Sequence, residues 1–140
     1  MDGDAQAGHE FVDHMSELAL RLRAPAFDAL LAEAVRAVGG LLVAEAGAEG
    51  PGATRTIEVV AADREALLVD LLNELVFVAE TERWAPQGIA AIEATGTRAR
   101  LRLSGVRLAG TPSRIKGATF HGLTVQASGG QVEAEVILDV

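Results

Sequence analysis

Leu18, Leu20 and Leu22 alternate with Ala19, Arg21 and Arg23, a period of two that predicts a strand with one buried face over residues 16–24. Pro25 then suits the first turn of a helix, where the amide hydrogen it lacks would be unpaired anyway. Phe27, Leu30, Leu31, Ala34, Val35, Val38 and Leu41 recur at intervals of three and four, with Asp28, Glu33 and Arg36 on the opposite side. A first helix is therefore expected to about residue 42, its last turn weakened by Gly39 and Gly40. Residues 44–52 hold three glycines and a proline, the composition of a surface loop. A second strand is expected over 55–61, with Ile57 and Val59 on one face and Thr56 and Glu58 on the other. Asp63 is placed to cap the next helix. Leu67, Leu68, Leu71, Leu72, Leu75 and Val78 give that helix a wide apolar stripe to about Thr81, and Asp70, Asn73, Glu74 and Phe77 share its other side, which reads as a solvated face.

After Trp84 only strands are expected, over 89–94, 98–108, 115–127 and 131–138. Within 98–108 the apolar phase slips from Leu101 and Leu103 to Val106 and Leu108, which predicts a bulge at Gly105. Ser128-Gly129-Gly130 supplies a hairpin turn for the last two strands. The order β-α-β-α-β-β-β-β points to the α+β class: a single α/β sandwich domain, two helices packed on one face of a largely antiparallel mixed sheet of about six strands. Leu18, Leu20, Leu30, Leu31, Val38, Ile57, Val59, Leu68, Leu71, Leu72 and Leu75 are the expected core. Residues 1–10 read as a mobile acidic tail and 11–140 as the domain.

Composition narrows the function classes. With 140 residues, 49% of them hydrophobic, the chain has material for one domain with a real core. Twenty acidic against twelve basic side chains give a charge of −8, which disfavours direct, stable binding of nucleic acid. The absence of cysteine excludes disulfides, thiolate-held zinc and thiol nucleophiles. No apolar run approaches a membrane span and the start lacks a signal-peptide pattern, so a cytoplasmic protein without membrane contact is expected. Eleven of the twelve basic residues are Arg; Lys116 is the one Lys, and Asn73 is the one Asn.

No phosphate-binding glycine loop, His-Glu-x-x-His or Gly-x-Ser-x-Gly is present. Polar groups at strand ends remain. Asp13, His14 and Glu17 cluster at the start of the first expected strand, and Asp139 and the chain-terminal carboxylate of Val140 lie at the end of the last. If those strands meet, Glu17, Asp139 and Val140 converge. Anionic oxygens so placed repel one another unless a cation is bound, and hard ions such as Mg²⁺, Ca²⁺ or Mn²⁺ take such ligands. Acidic residues at solvated strand ends are the plainer reading. His121, beside Leu123 and Val125, reads as a half-buried histidine, and Lys116 as a surface lysine that would complement nearby carboxylates.

Four blocks carry a family resemblance. His14-Met15-Ser16-Glu17 resembles the His-Thr-Ala-Asp signature of archease proteins, and residues 67–77, Leu-Leu-Val-Asp-Leu-Leu-Asn-Glu-Leu-Val-Phe, resemble their second helix. Residues 115–121, Ile-Lys-Gly-Ala-Thr-Phe-His, are similar to the family's Lys-Ala-x-Thr-Tyr-His strand, and Val136 to Val140 to its last strand with a penultimate aspartate. The blocks run in order over nearly the whole chain. Archeases are small α/β sandwich proteins, not enzymes. They act on the RNA ligase that seals 3′-phosphate or 2′,3′-cyclic-phosphate ends to 5′-hydroxyl ends.

The resemblance implies a chaperone-like activator that promotes guanylylation and repeated turnover of a GTP- and Mn²⁺-dependent RNA-splicing ligase, in tRNA splicing or RNA repair. It places the metal-holding pair on Glu17 and Asp139 and the strand lysine on Lys116; Asp13, His14 and His121 are further candidates for contact with the partner or a nucleotide. Glu17 stands where the family has Asp, and its extra methylene would shift a bound metal by about a C–C bond length. Met15 stands for Thr, and Phe120 lacks the Tyr hydroxyl. Two other classes compete. A small divalent-metal hydrolase would use Glu17 and Asp139 as ligands but has no obvious nucleophile, and a general chaperone would require an exposed apolar patch.

Overall fold

The computed structural model describes residues 6–14, 17–112 and 115–140. The chain runs β1 (Gly8–His14), β2 (Glu17–Ala24), α1 (Phe27–Ala46), β3 (Ala48–Val60), α2 (Arg64–Glu82), β4 (Trp84–Ala94), β5 (Arg98–Leu108), β6 (Gly117–Ser128) and β7 (Gln131–Asp139). All strand pairs are antiparallel, and they make two sheets, one of order β1-β2-β7-β6 and one of order β3-β5-β4. The α+β class with two helices on antiparallel sheet is as expected. The single sheet of about six strands is not, because the strands divide between two sheets. Alternation within a strand reports which face is buried, not which neighbour the strand pairs with.

Both helices touch both sheets: α1 packs on β1, β2 and β7 and on β4, while α2 packs on β6 and on β3, β4 and β5. They form the middle layer, so each sheet has the two helices on one face. The expected core is buried throughout except Leu18, which is half-buried near the end of β2. No helix among the described residues is long and apolar enough to cross a membrane.

β1 corrects the reading of residues 1–10 as tail, since Gly8, His9 and Glu10 pair with Arg23, Leu22 and Arg21; residues 1–5 lie outside the described residues. The strand carries Phe11 on one parity and Val12 on the other, so it shows no clean alternation. Its presence explains a second difference. Glu33, expected on the outer side of α1, is buried, because β1 covers it: His9 Nδ1 lies 2.5 Å from Glu33 Oε2, and Arg36 donates to Oε1 at 3.3 Å.

α1 continues to Ala46, past the expected stop near residue 42. A Cβ on Gly39 would overlap the Pro86 carbonyl oxygen, so this glycine permits a close approach of α1 and β4 and does not mark a failing helix end. Gly47, at φ 79°, ends the helix and donates to the Val43 carbonyl at 2.8 Å. β3 begins at Ala48, inside the expected loop, and Pro51 is tolerated there because β3 is an edge strand. α2 starts as expected, with Asp63 Oδ1 accepting from the Ala66 amide at 2.8 Å.

The expected irregularity at Gly105 lies in the partners of β5. The register slips between Gly52 and Arg55 in β3 and between Pro86 and Gly88 in β4, opposite Gly105 and its neighbours. Gly105 itself makes room for an aromatic ring, since a Cβ there would overlap the Trp84 indole. That indole is 3% exposed, donates from Nε1 to the Ala53 carbonyl at 2.7 Å, and carries the Arg55 guanidinium 5.5 Å from its centroid. Arg55 is in turn held by both oxygens of Glu82 at 2.9 Å.

Candidate functional site

The pairing of the four-stranded sheet sets four strand ends in one row, His14 opposite Glu17, Glu17 opposite Asp139, and Asp139 opposite Gly117. Directly opposed residues of an antiparallel pair project from the same face. Glu17 and Asp139 therefore rise from the outer face, while Leu18 and Leu138, the next pair along, turn toward the helices. Asp139 is exposed and Glu17 half-buried. The Lys116 amide donates to the Asp139 carbonyl at 2.8 Å, so the exposed Lys116 leaves the sheet at this same end.

Two of the other sequence candidates lie apart from this pair. Asp13 pairs with Leu18 and so belongs to the face opposite that of Glu17. Val140 lines a cavity of about 360 Å³ on the helix side of the sheet, with Phe11, Leu18, Leu41, Ala44, Glu45 and Ile115. The backbone of His14 stands opposite Glu17, and His121 falls in β6 between Thr119 and Thr124, where the register against β7 slips. Their side chains lie outside what the structure describes, as do Met15 and Ser16 of the signature. Among the described residues, no group of three or more His, Asp or Glu side chains is close enough to hold a metal ion. Glu17 and Asp139 alone would supply two to four of the six to eight oxygen donors that a Ca²⁺ ion takes.

Asn73 is the residue that pattern reading misplaced. Its side chain accepts from the Ala118 amide at 2.7 Å and donates to the Ala118 carbonyl at 3.3 Å, tying α2 to the start of β6. Gly117, at φ 151°, sits so close that a Cβ would stand 2.8 Å from Asn73 Oδ1. The available signal was that Asn73 is the single asparagine of the chain. Farther along the outer face, Arg21 donates to Glu135 at 2.8 Å, and this hydrogen bond, helped by the Glu135 charge, raises the guanidinium further above its ordinary value. Gly8, Glu10, Arg21, Arg23 and Glu133 border an open polar groove there.

The model of the Archease protein family (MTH1598/TM1083) matches residues 9–140. Among solved structures, the chain is similar to an archease of Thermotoga maritima, called a possible chaperone, with 19% identity, a TM-score of 0.65 and coverage of 96% of this chain and 99% of that one. It is also similar to protein 1598 of Methanobacterium thermoautotrophicum, with 23% identity, a TM-score of 0.70 and coverage of 95% and 99%. No curated protein matches the chain. The two structures share the fold, and the family match runs from within β1 to the last residue: the chain belongs to the archease family.

Proposed function

We propose that this archease is a non-enzymatic, metal-binding activator of an RNA ligase. It promotes guanylylation and multiple turnover of the GTP- and Mn²⁺-dependent enzyme that joins 3′-phosphate and 5′-hydroxyl RNA ends, in cytoplasmic tRNA splicing or RNA repair. The observation that carries this reading is the ladder register that opposes Glu17 to Asp139 and hydrogen-bonds Lys116 to Asp139. Glu17 and Asp139 would hold a Ca²⁺, Mg²⁺ or Mn²⁺ ion, with water or the partner completing its shell. When bound, such an ion would supply positive charge for phosphate oxygens. Lys116 acts beside it as a flexible point charge toward a nucleotide phosphate or a ligase carboxylate. The net charge of −8 suits docking on the basic surface of an RNA-handling enzyme.

The test mixes the protein with an RNA ligase of this class, GTP and Mn²⁺, and follows the covalent ligase-GMP adduct. The wild-type protein should raise the rate of adduct formation, and Asp139→Ala should return it toward the unassisted rate. Equal rates with and without the wild-type protein overturn the reading.

A further inference from the structure

Phe77 is 58% exposed, although it sits in a helix whose other large apolar residues are all buried. Asp70, Glu74, Phe77 and Thr81 follow one another at four, three and four residues, so they form one stripe on the outward side of α2, with Glu80 beside it. Asp70, Glu74 and Glu80 are exposed and make no ion pair among the described residues. The stripe lies within the helix Arg64–Glu82, and the Thr81 hydroxyl donates to the Phe77 carbonyl at 2.7 Å. An aromatic side chain left in water on a helix face with three exposed carboxylates has the composition of an interface centre with a charged edge.

α2 is tied to the strand that begins at the candidate site. Asn73, one helical turn before Phe77, is bonded twice to Ala118, and the adjacent Gly117 stands opposite Asp139 in the ladder.

We propose that the outward face of α2 is a docking surface for a protein partner that presents an apolar pocket for Phe77 edged by Lys and Arg side chains. The charge complementarity required by Asp70, Glu74 and Glu80 sets the partner's chemistry; its identity as the RNA ligase rests on the function proposed above. Docking and activation are then separable: Phe77 governs how tightly the partner is held, and the end of the sheet governs what happens once it is held.

The experiment measures binding to the GTP- and Mn²⁺-dependent RNA ligase by interferometry, and adduct formation across a titration, for wild type, Phe77→Gln, Asp139→Ala and the double variant Glu74→Lys/Glu80→Lys. Phe77→Gln should melt as wild type does, raise both the Kd and the half-activating concentration at least tenfold, and leave the plateau rate unchanged. The double charge variant should bind more slowly and with less salt dependence. Asp139→Ala should lower the plateau and keep the Kd. A folded Phe77→Gln protein with wild-type Kd, or a wild-type protein that does not bind the ligase, overturns the docking surface. Binding that depends on Phe77 without any rise in adduct overturns the activator reading and leaves the docking surface standing. A wild-type dimer in sedimentation that becomes monomeric in Phe77→Gln assigns the face to a second copy of this chain and overturns the proposal.

Discussion

Glu17 lies directly across the β2–β7 ladder from Asp139, so two carboxylates from opposite ends of the chain rise side by side from one face of the sheet. Like charges so placed repel each other, and a divalent cation relieves the repulsion. Calorimetric titration of the wild-type protein with Ca²⁺, Mg²⁺ and Mn²⁺ should show a binding site that Asp139→Ala and Glu17→Ala each abolish. Undiminished binding in Asp139→Ala would show that the ion sits elsewhere.

Lys116 is exposed, and its amide holds the Asp139 carbonyl, so truncating the side chain leaves the backbone bond in place. Lys116→Ala should change stability by no more than about 0.5 kcal/mol. Ligase guanylylation in the presence of this variant should fall. Stability and adduct formation belong on the same preparation, and full activation by folded Lys116→Ala protein would refute the role of the ammonium.

Two adjacent glycines in α1 should respond to the same substitution with opposite signs. Gly40 is exposed and a Cβ there meets nothing within 4 Å, so Gly40→Ala should stabilise by about 0.5–1 kcal/mol through helix propensity and a less flexible unfolded chain. At Gly39 the same methyl would overlap the Pro86 carbonyl, and overpacking of this kind costs about 1–3 kcal/mol. Urea denaturation of the two variants decides it; a stabilised Gly39→Ala would mean that β4 can retreat from the helix.

Asn73→Ala removes both side-chain partners of Ala118. Leaving these groups unpaired in a half-buried place should cost about 1–3 kcal/mol. Hydrogen exchange should rise first at the Ala118 amide. Wild-type protection at that amide in the variant would show that another group has replaced the asparagine.

The local periods along the chain were enough to place both helices, the cap at Asp63, the strand at residues 98–108 and ten of the eleven expected core residues in the buried interior, because each depends on neighbours within a turn or a pleat. The parity of Glu17 and Asp139 was legible for the same reason. Their opposition was not: it required β2 and β7 to be sheet neighbours in one particular register, a pairing between the two ends of the chain. Glu33 and Gly39 show the other limit. Glu33 is buried because β1 crosses it, and Gly39 is required because β4 presses on α1, so both roles belong to contacts between distant segments. Asn73 follows the same logic, since an amide on an apparently solvated face is claimed by a strand that arrives much later in the chain. Alternation and helical period thus determined which side of each element is apolar. The division into two sheets, the ladder registers and the close backbone approaches were decided only in the tertiary structure, where burial and hydrogen bonding are satisfied by partners that no local pattern identifies.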